Sequence, residues 1–439
     1  MLEHITRGRM RKSILLLFFF VYLPFLYHYG LGYIHYASID FPSFYWAVKL
    51  TFTAGKSPYA IGAFSEIAKQ LGQYVFPYLY PPPSLLIFSP LLLVSYNTAK
   101  GLLLVINHVC ILIVIYLMLF QIAQVQRNRG YSLMLPFMLL YVVCYYPIVS
   151  TLNHGQMNLL VLVLLCFVWI GTKKGTSPIS IAVALILATL LKPYFIALIL
   201  FMLMNRKFAV VFWFLLLSAL LSVVSLAVLP HSLWTDWFAY VLPTGGYGET
   251  PIGLGSPAVS WNQSINGFTS RLFLDNPFNS PLLPSPGAAR LVPYLASALV
   301  VIATVFSPYR MTFLHGEKDI DWEFSLYLLM VYIVAPLSWE HHLVFILPAI
   351  LIGLMRSFEG RRNWFWASVI AFSAYLLAWE LPIDSPRLQT GILTLAISVK
   401  FYGVLALWIV FALNPMRSRS TSEFPSPNSA EHNEWTNQL

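Results

Sequence analysis

Charge is scarce in this chain. Of 439 residues only 10% are Asp, Glu, Lys or Arg, against about a quarter in soluble domains, and this excludes an ordinary solvated globule. Polar stretches are scarce too: apolar segments recur from Ser13 to Leu413 with no charge-rich gap long enough for a separate soluble domain. Cysteine is limited to Cys110, Cys144 and Cys166, all inside apolar runs, so a disulfide framework is not expected and the thiols read as small apolar packers. No HExxH spacing occurs, and the stretches assigned below to the non-cytoplasmic side hold no D-x-D cluster for a divalent ion. No internal repeat of the kind that builds inverted-repeat transporters is visible either.

What is abundant is apolar and aromatic residues, 58% and 16% of the chain. A helix needs roughly 20 apolar residues to cross a bilayer, and the segments of that kind define an all-α polytopic membrane protein. The net charge of +9 does not point to nucleic acid, because the basic residues sit in small groups between apolar segments, where the positive-inside rule places them. Arg7, Arg9, Arg11 and Lys12 precede an apolar run from Ser13 to Leu31 without a small-residue cleavage site, which predicts an uncleaved first helix entering from the cytoplasm. Arg127/Arg129, Lys173/Lys174, Arg206/Lys207, Arg310/Lys318, Arg356/Arg361/Arg362 and Arg417/Arg419 all become cytoplasmic if further crossings lie near 101–124, 132–150, 158–171, 178–191, 194–205, 208–229, 289–306, 322–336, 342–356, 363–380 and 389–413. The expected total is about 12 helices in one membrane domain, residues 1–416, with a disordered cytoplasmic tail at 417–439. Several helices are too short to span straight, which suggests broken elements around a protein-lined cavity. Residues 84–97 read as a half-helix, since a full crossing there would put basic clusters on the wrong side.

This topology collects the polar residues on the non-cytoplasmic face: a loop of roughly 31–83, the turns 151–157, 191–193, 337–341 and 381–388, and a long loop at 230–288. The aromatics Phe41, Phe44, Tyr45, Trp46 and Phe52 fit an interfacial helix lying in the membrane plane, followed by a second short helix around 60–72. Asp40 directly precedes it. A carboxylate at the low-dielectric membrane edge has its basicity raised by desolvation, which suits a general base; the alternative is a helix cap before Phe41-Pro42. Asn153, His154, Gln156 and Asn158 form a polar knot between apolar helices, able either to bind sugar hydroxyls and phosphate or to cap a turn. Lys192-Pro193 breaks an apolar stretch, so the lysine either snorkels or neutralises an anion. Asn262, Gln263 and Arg271 concentrate donors in the long loop; Arg271 has the fork geometry for phosphate, with a structural salt bridge as the alternative. Asn262-Gln263-Ser264 also spells a glycosylation sequon. In Ser338-Trp339-Glu340-His341-His342 the neighbouring histidines point to different faces, which argues against metal and for hydrogen bonding to sugar or phosphate.

In order and spacing these elements resemble glycosyltransferase family 87. The likeness rests on Asp40-Phe41 with Tyr45, Gly55-Lys56-Ser57-Pro58-Tyr59, Tyr80-Pro81-Pro82, Gly155-Gln156-Met157-Asn158, Lys192-Pro193, Asn262-Gln263-Ser264 and Ser338-Trp339-Glu340-His341-His342; Glu340 departs from the family pattern. The resemblance implies a GT-C type helical bundle and inverting transfer of a hexose, usually β-mannosyl, from a polyprenyl-phosphate carrier to a glycan or glycolipid hydroxyl at the cell membrane. It implies Asp40 as catalytic base. Lys192, Arg271, His341 and His342 would bind the donor phosphate, and Tyr45, Asn153, Gln156, Asn158, Asn262, Gln263 and Glu340 the sugar or acceptor. A monophosphate leaving group neutralised by side chains needs neither metal nor cofactor. Two other classes compete: a transporter or lipid-carrier flippase, which would concentrate ionisable groups at mid-membrane, and a non-catalytic assembly subunit, in which Asp40 would merely cap a helix.

Overall fold

The computed structural model describes residues 16, 19–32, 38–125, 131–253, 255–315, 318–357 and 363–413. Arg7, Arg9, Arg11, Lys12, Arg127, Arg129, Arg361, Arg362, Arg417 and Arg419, and the expected tail at 417–439, lie outside the described residues.

Among the described residues the chain is helical, without a β-strand. The first helix, α1, covers 19–31, its last turn (Tyr27–Leu31) widened to π geometry. Phe41–Ala54 (α2) and Ser65–Leu71 (α3) follow, and Gly55 and Gly72 end them at φ 61° and 63°, left-handed values that cost glycine little. Pro83–Phe88 (α4) continues as a 3-10 turn over Ser89–Leu93. Those six and five residues rise roughly 19 Å, well short of the ~30 Å hydrocarbon layer, in keeping with a half-helix. The rest of the helices are Tyr96–Val125 (α5), Tyr131–Cys144 (α6), Tyr146–His154 (α7), Asn158–Lys174 (α8), Pro178–Leu191 (α9), Leu198–Met204 (α10), Phe208–Val228 (α11), His231–Asp236 (α12), Ile265–Phe273 (α13), Pro286–His315 (α14), Ile320–Val334 (α15), Leu347–Arg356 (α16), Trp364–Ala378 (α17) and Val399–Leu413 (α18).

Among the described residues five segments are long and apolar enough to cross a membrane: Tyr96–Met118, Phe137–His154, Phe208–Val228, Pro286–Pro308 and Gly391–Leu413. Others, such as Pro178–Leu191, Pro193–Met204 and Trp364–Ala378, are shorter apolar helices, so the count of about 12 rests on elements that do not span unaided. The exposed residues of α11 and α14 include Leu215, Val223, Leu291, Leu295 and Leu299. Such broad apolar surfaces suit a lipid environment. At the centre, α15 is buried nearly all round from Trp322 to Ile333 and packs against α18, α16 and the 3-10 turn Glu340–Ile346.

The aromatics of α2 divide: Phe41, Phe44 and Tyr45 are buried against Tyr78, Tyr80, Phe88 and Tyr96, while Phe52 is exposed. Aromatics at helical spacing bury equally well against lipid or protein, and here the returning Pro-rich segment and α4 supply the protein.

Candidate active site

Five polar stretches converge on one cavity of about 670 Å³, a size typical of small-ligand sites. They are the start of α2, the α7–α8 junction, the break after α9, the turn 336–342 and the turn 380–384. The segment after α12 closes another side with Trp237, Val241, Leu242 and Ile252, so polar groups and apolar walls share the space.

Asp40 occupies the cap position of α2, yet its side chain caps nothing. The Asp40 carboxylate instead accepts from Gln156 Nε2 at 2.8 Å, and the Asp40 backbone N–H donates to the His154 carbonyl at 2.9 Å. This close approach needs Gly155: a Cβ there would sit 2.8 Å from Ser38 Cβ and 2.9 Å from Phe41 Cβ, and its φ of 64° is left-handed. Gln156 is fixed in turn, its N–H donating to Thr151 O and its carbonyl accepting from Asn107 Nδ2 of α5. Desolvation by burial raises the Asp40 carboxyl above the usual carboxylate range, opposed by the charge field of His154, the Gln156 hydrogen bond and the Lys192 ammonium.

Lys192 lies where α9 stops before Pro193, its backbone extended at φ −147° and ψ 93°. Proline cannot supply the N–H that would continue the helix, so the chain turns and carries the lysine into the cavity, where it is 6% exposed. Its Nζ lies 2.9 Å from His342 Nε2 and 5.9 Å from the centre of the Tyr80 ring. Burial lowers this ammonium to about 8, against the pull of Asp40. His341 lies between two rings, tilted by 41° to His154 at 4.8 Å and edge-on to His342 at 4.6 Å. The His341 carbonyl receives Thr151 Oγ1 and Asn158 Nδ2, while its buried Nε2 meets no hydrogen-bond partner among the described residues. Along the same cavity Glu340 pairs with the fully buried Lys400 of α18 at 2.6 Å, and Tyr146 donates to Glu380 at 2.7 Å.

Thus Asp40, Gln156, Lys192, Glu340, His341 and His342 come together, whereas six expected contributors do not reach the cavity. The Tyr45 hydroxyl donates to Val94 O beneath α2. Asn153 is half-buried off the cavity wall. Asn158 is buried and spends its amide on Thr151 and His341. Arg271, expected at phosphate, is 2% exposed. Its guanidinium donates to Ser398 Oγ at 2.8 and 3.1 Å and to the Val259 and Asn262 carbonyls at 2.9 and 3.0 Å, so it staples the long loop to the start of α18. Asn262 and Gln263 belong to the same framework: Asn262 donates to Pro257 O and Pro336 O and receives Ser338 N–H, and Gln263 donates to Ile397 O and receives Phe401 N–H. With no exposure, Asn262 cannot serve as a glycosylation site in the folded chain.

The structure also brings in residues that the sequence did not single out: Tyr80 and Tyr194 beside Lys192 and His342, Tyr146 and Glu380, and Lys400. Tyr80 belongs to the Tyr80-Pro81-Pro82 motif, and Tyr194 directly follows Lys192-Pro193. Among the described residues no group of three or more His, Cys, Asp or Glu is placed to hold a metal ion. The chain does contain a D-x-D spelling, Asp319-Ile320-Asp321, but Asp319 caps α15 and pairs with Arg356 at 2.9 Å, and Asp321, in the first turn of α15, pairs with Lys173 at 2.7 Å and accepts from Trp169 Nε1 at 3.0 Å.

An apolar all-helical chain of this kind is an integral membrane protein. Residues 78–336 match the sequence profile of glycosyltransferase family 87; the chain belongs to that family and is a membrane glycosyltransferase acting on a sugar donor and an acceptor. No curated protein and no solved structure matches it. The matched stretch includes the Gln156 and Lys192 elements, while Asp40 and Glu340–His342 lie on either side of it.

Proposed function

We propose that this enzyme transfers a hexose, mannose by its family resemblance, from a polyprenyl-phosphate carrier to a glycan or glycolipid hydroxyl on the non-cytoplasmic face of the cell membrane. Asp40 is the general base that takes the proton of the attacking hydroxyl. The phosphate leaves from the opposite face of the sugar, inverting the anomeric centre, and Lys192 with His341 or His342 receives its charge. The observation that carries this reading is that an uncapped carboxylate and a buried ammonium, on separate elements, line the same cavity. A cation held away from water is strongly disfavoured without an anion to meet it, and a phosphate is such an anion. A carboxylate made more basic by burial is suited to proton abstraction, and preorganised charge at a leaving group can be the largest catalytic contribution. The apolar wall from Trp237 to Ile252 suits the first isoprene units of a lipid carrier. Arg271, Asn262 and Gln263 are assigned to the framework rather than to the substrate. The domain is taken to run over residues 1–416, with the shorter helices completing the bundle of about 12.

The test is donor choice. Purified protein in lipid nanodiscs should transfer mannose from polyprenyl-phosphate mannose and not from GDP-mannose, without added divalent ion and in the presence of EDTA. Transfer from the nucleotide sugar alone would contradict the reading.

A further inference from the structure

The cavity has a second end that the catalytic reading does not use. α7 runs along it, and the eight-residue interval from Tyr146 to His154 advances about 12 Å. The His154 end meets Asp40, whereas Tyr146 donates to Glu380. Glu340 and its partner Lys400 belong to the Tyr146 side as well, since the Lys400 ammonium lies 5.4 Å from the centre of the Tyr146 ring. Two indoles flank this end: Trp261 and Trp339 line the cavity with ring centres 6.4 Å apart and planes inclined by 53°.

Those indoles are held by deliberate construction. Gln263 N–H donates to Ser338 O at 2.8 Å, and Ser338 N–H donates to Asn262 Oδ1 at 3.0 Å. The residues next to each tryptophan are therefore bonded to each other, and Arg271 closes the loop behind them through the Asn262 carbonyl. Trp261 nevertheless remains 46% exposed. A buried polar framework that presents an exposed aromatic at a cavity edge prepares a surface for a partner with both an apolar face and polar groups.

We infer that this end, formed by Tyr146, Trp261, Trp339, Glu340 and Glu380, is the acceptor subsite and that it selects uncharged carbohydrate. The inference rests on the glycosyltransferase reading above. A pyranose offers C–H faces to the indoles and hydroxyl donors to carboxylate oxygens, which accept several hydrogen bonds each. Between the two ends lies His341, its ring centre 4.8 Å from that of His154 and its Nε2 buried without a hydrogen-bond partner among the described residues. Charge sets the selectivity: Glu340 is balanced by Lys400, but Glu380 and Asp384 pair with no cation among the described residues. An acceptor sugar bearing a carboxylate or phosphate would face that negative field, while an anionic donor is drawn to Lys192 at the other end. The two substrates are thus sorted by charge.

The experiment measures binding without turnover. Full-length protein in nanodiscs is titrated with methyl mannobioside and with a disaccharide of equal size bearing a uronic acid, following tryptophan fluorescence and saturation-transfer NMR. The wild type should bind the neutral disaccharide and the uronate about tenfold more weakly. Trp261→Ala, at an exposed position, should weaken the neutral ligand about three- to tenfold, the worth of one aromatic contact, and Glu380→Gln should narrow the gap between the ligands. Binding is read without turnover, so a failure of Asp40 as base leaves this result untouched. Tyr146→Phe provides a second variant whose fold is not at risk, with thermal unfolding recorded for all. Absence of neutral-sugar binding, equal binding of the uronate, or indifference to both Trp261→Ala and Tyr146→Phe would overturn the assignment.

Discussion

Replacing Lys192 by methionine, which keeps the length and removes the charge, separates a substrate-binding role from a structural one by the sign of two effects. Burial lowers the ammonium to about 8 from an ordinary ~10.4; at roughly 1.4 kcal/mol per unit, keeping it protonated costs the unliganded fold about 3 kcal/mol. Lys192→Met should therefore leave the unliganded protein as stable as the wild type or raise its Tm. The donor should respond in the opposite direction. A charge-assisted hydrogen bond to phosphate is worth about 1.5–3 kcal/mol, so the donor KM should rise roughly 10- to 150-fold while the acceptor KM stays put. Thermal unfolding in nanodiscs and initial rates at varied donor concentration measure both. A variant that is clearly destabilised and uses donor normally would refute the reasoning and make Lys192 a structural partner of His342.

The pH dependence follows from the same groups. Asp40 acts deprotonated and its carboxyl is raised, so activity is lost as pH falls through a value above the ordinary ~3.9. Lys192 binds phosphate protonated, so the donor KM climbs as pH rises past about 8. Between there and ~10.4 the unfolded chain binds a proton that the folded one does not, so unliganded stability increases with pH, and Lys192→Met abolishes that increase. Arg271→Met should strip five hydrogen bonds from a buried site and destabilise the fold by about 1–3 kcal/mol for each acceptor left without a partner; a large donor KM change in folded Arg271→Met protein would return the arginine to the phosphate.

Helix limits were legible because proline, glycine and charge punctuate an apolar chain: the expected spans at 178–191 and 208–229 correspond to Pro178–Leu191 and Phe208–Val228. Asp40, Gln156, Lys192 and His341-His342 stood out because polar groups amid apolar ones need a reason. Arg271, Asn262 and Gln263 stood out for the same reason but serve the framework, since their acceptors are mostly backbone carbonyls brought close by turns, and sequence does not display carbonyl positions. Lys400 was hidden inside the expected span 389–413, where only its distant partner Glu340 explains a buried cation. That Phe41, Phe44 and Tyr45 pack against protein was not legible, because period alone does not distinguish lipid from protein.

The most direct measurement is turnover of Asp40→Asn at equal amounts of folded protein, with polyprenyl-phosphate mannose as donor. Asparagine keeps the size, caps helices about as well as aspartate, and can still meet Gln156, so folding and donor binding should persist while kcat falls by about 10²–10⁴-fold, the worth of a positioned base. Near wild-type turnover would remove Asp40 from the chemistry and leave Glu340 as the next carboxylate on the cavity wall.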